Sequence, residues 1–270
     1  MPKKKRRPRK PAVRRPPQQR TPAPQSPASS DDRLDAVLPP FLDQVPDDET
    51  MQALLADVDE HAILLDAPLM RRADILMRAI GSGLPFSADE GLGRETTLEL
   101  VDAMGWVPDG DVETTWDATP VSALVAGLIG AGFLELRDGR QLVPAAGVAP
   151  WAWPDDAPEA RVVAGRILLA TTLGAFFESH DGVSAALAPP LTAMALMSAV
   201  APGGVSLAES ADEPDALADI RRTVREDLLA LEDIGVVTQD GDTFFASPVL
   251  VPVLPAVIEE MEAGLGQTVG

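Results

Sequence analysis

The side chains able to do chemistry are few. The 270 residues include two histidines and no cysteine. His61 sits in Asp57-x-Asp59-Glu60-His61, and His180 in Glu178-Ser179-His180-Asp181. Imidazole beside carboxylates is a donor set that a divalent metal could use. Neither motif offers a second histidine one helical turn away, the pattern of helix-borne zinc sites, so both histidines are expected at helix ends on the surface. Without cysteine there is no thiol nucleophile, disulfide framework or thiolate-held metal. No Gly-x-Ser-x-Gly elbow occurs. Gly127-x-x-Gly130-x-Gly132 has the wrong spacing for a dinucleotide loop and closes a helix instead of opening one. Asp109 and Asp111 have alternate-acid spacing but no glutamate at the twelfth position of a calcium loop. The expectation is a chain that is not an enzyme and takes no cofactor or metal.

The cations are the remaining chemistry, and they are split. Residues 1–30 hold Lys3, Lys4, Lys5, Arg6, Arg7, Arg9, Lys10, Arg14, Arg15 and Arg20, with no acid. That leaves twelve cations, all arginines, against 42 acids in the other 240 residues, a balance of −30. Such a body is not a basic nucleic-acid-coating domain. Three of its arginines cluster: Arg221, Arg222 and Arg225 lie at i, i+1 and i+4, with Arg221 and Arg225 on one face of a helix. They could meet a phosphate backbone or read guanine. Asp219, Glu226, Asp227, Glu232 and Asp233 are close in sequence, so ion pairing on a solvated face is the competing expectation.

The elements that position these residues follow from periodicity. Eight prolines and ten cations in residues 1–30 predict a disordered tail, because such a segment cannot bury enough apolar surface to offset its ordering entropy. Asp47-Asp48-Glu49-Thr50 opens a helix with an acidic first turn, and Met51, Leu54, Leu55, Val58 and Ala62 continue one apolar face. A helix over 71–80 stops at Gly81-Ser82-Gly83, and Leu84-Pro85-Phe86 is extended. A helix capped by Thr96 or Thr97 ends at Gly105. Thr119-Pro120 starts another, with Pro at its first position, and Gly130-Ala131-Gly132 stops it. Phe133 to Leu136 and Gln141 to Val143 flank Asp138-Gly139, a hairpin signal. The uncharged stretch from Val183 to Ala208 is long enough to suggest a membrane span. Pro189-Pro190, Pro202-Gly203-Gly204 and its alanine-rich composition argue for a buried helix near 191–200 instead. No secretory leader is read at the N-terminus, since Pro-rich sequence follows its cations.

Helix, short strand, helix, helix, hairpin over roughly 70–148 resembles a winged helix, the helix-turn-helix variant with a β-wing. Leu128-Ile129-Gly130-Ala131-Gly132-Phe133-Leu134, then Asp138-Gly139 and Leu142-Val143-Pro144, carry the resemblance. A weaker second copy follows. Aligning Gly132 with Gly235 pairs Leu128 with Leu231 and brings Asp138-Gly139 beside Asp240-Gly241, with one gap. Helices over 159–178 and 191–200 would precede it. The predicted fold class is mainly α with small β-hairpins. Residues 1–33 are the basic tail, 34–68 a helical extension, 69–150 and 151–258 the two winged-helix-like repeats, and 259–270 a C-terminal tail. Pro150, Pro154 and Pro158 make the joint, where Trp151 and Trp153 would pin the linker to both repeats. The composition and arrangement resemble uncharacterised actinobacterial proteins, from which no activity carries over.

The resemblance implies DNA contact through the third helix, but residues 119–132 contain no cation and no amide side chain, so they cannot make bidentate contacts to base edges. Pro2-Lys3-Lys4-Lys5-Arg6-Arg7-Pro8-Arg9-Lys10 resembles a nuclear localisation signal. In a bacterial setting the same residues would contact nucleic-acid phosphates, anionic lipid or the acidic body itself. The expectation is a cytoplasmic interaction protein, with association to the nucleoid as an option. Nucleic acid would bind the tail and a protein partner the body, with no membrane span. A winged-helix transcriptional regulator is the alternative.

Overall fold

A computed structural model describes residues 45–56, 58–145, 158–180, 184–209 and 214–259. The ten tail cations, Trp151 and Trp153 lie outside the described residues. The extension forms two helices where the apolar series suggested one: α1 (Asp48–Ala56) and α2 (Glu60–Asp66). The break has a local cause. The Asp59 carboxylate accepts from Ala62 N at 3.1 Å and so begins a new helix instead of extending the first.

The next elements appear in the predicted order. α3 (Pro68–Ile80) has Pro at its N-terminus and buries Leu69, Met70, Ala73, Leu76 and Ile80, one face of a 3.6-residue period. β1 (Leu84–Pro85) follows, then α4 (Arg94–Met104), ended by Gly105 in the left-handed region. α5 (Thr119–Gly130) leads to β2 (Leu134–Arg137) and β3 (Gln141–Pro144). The three strands are antiparallel in the order β1-β3-β2, with Leu142 opposite both Leu84 and Leu136. Asp138 and Gly139 both take positive φ, 54° and 64°, which is what the tight turn between twisted strands requires.

The second half comprises α6 (Pro158–Glu178), α7 (Ser184–Ala199), β4 (Val205–Ser206), α8 (Asp215–Ile234), β5 (Val237–Asp240) and β6 (Thr243–Ala246). Its sheet order, β4-β6-β5, repeats that of the first half. The helix stops also repeat. Phe133 N donates to Leu128 O and Val236 N donates to Leu231 O, each at 2.9 Å across a positive-φ glycine, so Leu128 and Leu231 occupy equivalent positions. The halves differ elsewhere. Two α-helices separate β1 from β2, whereas among the described residues α8 is the one α-helix between β4 and β5. α7 also begins earlier than expected and contains Pro189 and Pro190, which donate no intrahelical hydrogen bond.

One buried cluster runs from Leu64 to Val257 through both halves. Its centre is the pairing of α5 with α6. α6 is the one described helix long and apolar enough to cross a membrane. It buries Ala164, Leu168, Leu169, Leu173 and Phe177 inside the protein. The two helices approach at Gly127, where a Cβ would overlap the Thr172 hydroxyl, while Thr171 Oγ1 donates to Gly127 O at 2.8 Å. Arginines tie the helices together as well. Arg161 reaches Asp74 at 2.8 Å and the Arg166 guanidinium forks onto the Glu60 carboxylate. Arg72 donates to the Glu232 and Asp233 carbonyls at the end of α8. Burial lowers the Arg72 guanidinium from its ordinary value, opposed by the nearby Asp233 carboxylate. Gly127→Ala is expected to destabilise the fold by about 1–3 kcal/mol through overpacking. Adding Thr172→Ala should recover part of that loss, and urea titration of both variants measures it.

Candidate functional site

The helix that a winged helix would place in a DNA groove is α5, and it is the most enclosed helix of the first half. Pro120, Val121, Leu124, Val125, Gly127 and Leu128 are buried, and α3, α4, α6 and α8 all pack on it. Its Ser122 hydroxyl donates to Thr119 O at 3.1 Å on the same helix. The backbone here is spoken for by the helix itself, and no charged or amide side chain projects from it. Thr119 and Ser122 are its only polar side chains, so this surface offers no bidentate contact to base edges and little to phosphates.

α8 carries the three arginines, and each meets an acceptor within the chain. Arg221 is buried, with its side chain 11% exposed. Its Nη1 donates to Leu207 O at 3.4 Å and its Nη2 lies 3.9 Å from Glu209. Arg222 pairs with Asp219 at 3.0 Å, one turn back on the exposed face. Arg225 crosses to Asp242 in the β5–β6 turn at 2.7 Å. Arg221 and Arg225 therefore differ in surroundings despite their i, i+4 spacing: one anchors the strand leaving β4 and the other clips the hairpin to the helix. Arg222 keeps the ion pair expected from its sequence neighbours. Asp242 was not among the acids that sequence proximity singled out for Arg225, because it lies on the hairpin, 17 positions away.

The histidines depart from their expected surface positions. His180 is half-buried at the end of α6. Its Nε2 lies 2.9 Å from Asp227 Oδ1 and its Nδ1 lies 3.2 Å from Phe176 O. The second Asp227 oxygen accepts from Thr192 Oγ1 at 2.6 Å. Both ring nitrogens thus face oxygen atoms. Asp227 itself is buried, so it is not one of the solvated acids of α8. This cluster joins α6, α7 and α8. Sequence reading missed it because His180 and Asp227 are 47 residues apart and share no motif. It makes no triad, since neither ring nitrogen faces a hydroxyl. His61 Nε2 is buried without a hydrogen-bond partner. Among the described residues no group of three or more histidine, aspartate or glutamate side chains is arranged to hold a metal.

Two of the four tryptophans are described. Trp106 is partly buried against the core, and exposed Trp116 packs edge-on to Phe86 at 6.1 Å. Trp116 Nε1 donates to the Ala88 and Asp89 carbonyls, at 3.2 and 3.1 Å, which fastens the loop between β1 and α4.

If Asp227 is the joint between the three helices, Asp227→Ala leaves His180 Nε2 and the Thr192 hydroxyl unpaired. It should cost about 2–3 kcal/mol in denaturant unfolding, the scale of hydrogen bonds to a charged group. Arg222→Ala, which removes an exposed pair on the same helix, should cost less than about 0.5 kcal/mol. No protein-family model, curated protein or solved structure matches this chain.

Proposed function

We propose that this chain is a non-enzymatic interaction protein. Its acidic body of two winged-helix-like repeats serves as a protein-binding scaffold, and its basic N-terminal tail tethers it to a polyanion, nucleic acid first among the candidates. The observation that carries the reading is the burial of α5, the helix that would otherwise read DNA, among α3, α4, α6 and α8 without a single cation. The repeated sheet order and the matching helix stops at Leu128 and Leu231 support the winged-helix comparison. The tail supports the tether: its ten cations stand without an acid in residues 1–30, whereas the remainder of the chain repels phosphate. A cytoplasmic location, close to the nucleoid in a bacterial cell, accompanies this reading.

The competing reading is a transcriptional regulator that uses Arg221, Arg222 and Arg225 with the tail. Their intramolecular acceptors weigh against it, because DNA would have to displace Asp219 and Asp242 and uncover Arg221.

Binding of duplex DNA and of RNA, titrated against salt for the full chain and for a chain lacking residues 1–30, separates the two. The scaffold reading expects binding without sequence preference, a log–log salt slope approaching about −9 if all ten cations engage, and loss of binding with the tail. Sequence-selective binding by the tail-less chain, abolished by Arg221→Ala with Arg225→Ala, would overturn it.

A further inference from the structure

The strand β2 (Leu134–Arg137) stands at the border of the first sheet, whose order is β1-β3-β2. Ala145 N donates to Phe133 O at 2.9 Å, so these residues form a hydrogen-bonded pair in the register that sets Leu134 opposite Pro144. Such pairs alternate along an antiparallel ladder. Glu135 with Val143 and Arg137 with Gln141 are therefore the next bonded pairs, and the main-chain groups of Leu134 and Leu136 point away from β3. Among the described residues no strand takes up that edge. Leu134 is the one buried residue of the strand. Every residue from Glu135 to Gln141 is exposed, and apolar Leu136 is exposed to 44%. An open edge of this kind is a template for another strand.

The side chains on this edge complement themselves. Glu135 and Arg137, two positions apart, share one face of β2. They lie 4.0 Å from each other, with each side chain 56% exposed. Two copies of β2 can run antiparallel with Leu136 opposite Leu136. The outward main-chain groups of Leu136 then bond one another. Glu135 of each copy meets Arg137 of the other at a non-hydrogen-bonded position, where opposed side chains are closest. A centre on Glu135 would keep the hydrogen bonds but oppose two carboxylates, so charge selects the register. Residues 135–140 hold Glu135 and Asp138 against Arg137 and Arg140, a neutral patch in a body with a balance of −30. Two copies can meet here with their excess acids elsewhere. In the second hairpin the matching positions are Thr238, Gln239 and Asp240, which make no such complement.

We propose that two copies of this chain join through the outer edges of β2. The two three-stranded sheets become one six-stranded sheet across a twofold axis. The Leu136 side chains cover each other, and Glu135 pairs with Arg137 twice. The contact is isologous, the same patch on both copies. A strand of four residues buries little area, so the dimer forms and dissociates with concentration. The pairing goes beyond the interaction-protein reading and does not depend on it.

Sedimentation equilibrium of the full chain, from micromolar to millimolar concentration, tests it together with amide exchange followed by NMR. The expected mass rises from one chain towards two, and exchange at the Leu136 N–H slows as the dimer fills. Glu135→Arg and Arg137→Glu each set two like-charge pairs across the axis, and each should weaken dimerisation about tenfold. An equimolar mixture of these two variants restores both ionic pairs, as does the double variant, so both should dimerise as the unsubstituted chain does. Both substitutions fall on exposed side chains, and circular dichroism checks that the variants fold. A chain that stays monomeric throughout overturns the proposal. So does a dimer that neither charge reversal weakens, or that the mixture fails to restore. Self-association that disappears with residues 1–30 and ignores both reversals overturns it in favour of the basic tail.

Discussion

Everything in this molecule is arranged around the close approach of α5 and α6 at Gly127. A helix can come that near to another only where a side chain is missing, and here the Thr172 hydroxyl occupies the space a Cβ would need. The approach makes α5 a central strut. It fills the space between the two halves, so the first three-stranded sheet and the second share one core. It also removes most of α5's apolar face from solvent. The same contact that stabilises the protein restricts what it can recognise.

The charges tell a consistent story. In the body, arginine works mostly as mortar. Arg72 closes the end of α8, Arg161 and Arg166 tie α6 to α3 and α2, Arg221 supports the chain leaving β4, and Arg225 holds the hairpin. Guanidinium suits this because its planar donors can serve carbonyls and carboxylates at once. With the cations drawn inward, the acids outnumber them on the surface. The field near the body therefore favours basic groups over acidic ones, opposite in sign to the ten tail cations.

Much of the architecture was legible in the sequence. α3, α4, α5 and the first hairpin were marked by apolar periodicity, by Pro120 inside a helix start and by Asp138-Gly139, all of them local signals. The glycine alignment that paired Leu128 with Leu231 was legible for the same reason, since a helix stop is written in a few adjacent residues. What was not legible is what depends on distance. The His180–Asp227–Thr192 cluster joins three helices with no shared spacing. The Arg225–Asp242 pair crosses from helix to hairpin. α2 was hidden because Met51 to Ala62 keeps a helical period across the break, and only the Asp59 cap reveals it. β4 has two residues, too few to carry an alternation.

The seam between Arg72 and the end of α8 has a consequence for how the chain acquires its structure. The hydrogen bonds from Arg72 to Glu232 and Asp233 close loops of 160 and 161 residues, and Leu69 meets Gly235 across a similar span. Loops of that length are entropically costly to close early, and folding slows as contacts become less local. During synthesis, α3 emerges long before the residues that complete its surroundings. Met70 can pack against α6 near Gly165, whereas the Leu69 N–H finds its acceptor only once Gly235 has been made. A chain that stops before Gly235 lacks the acceptors that Arg72 and Leu69 use in the complete fold.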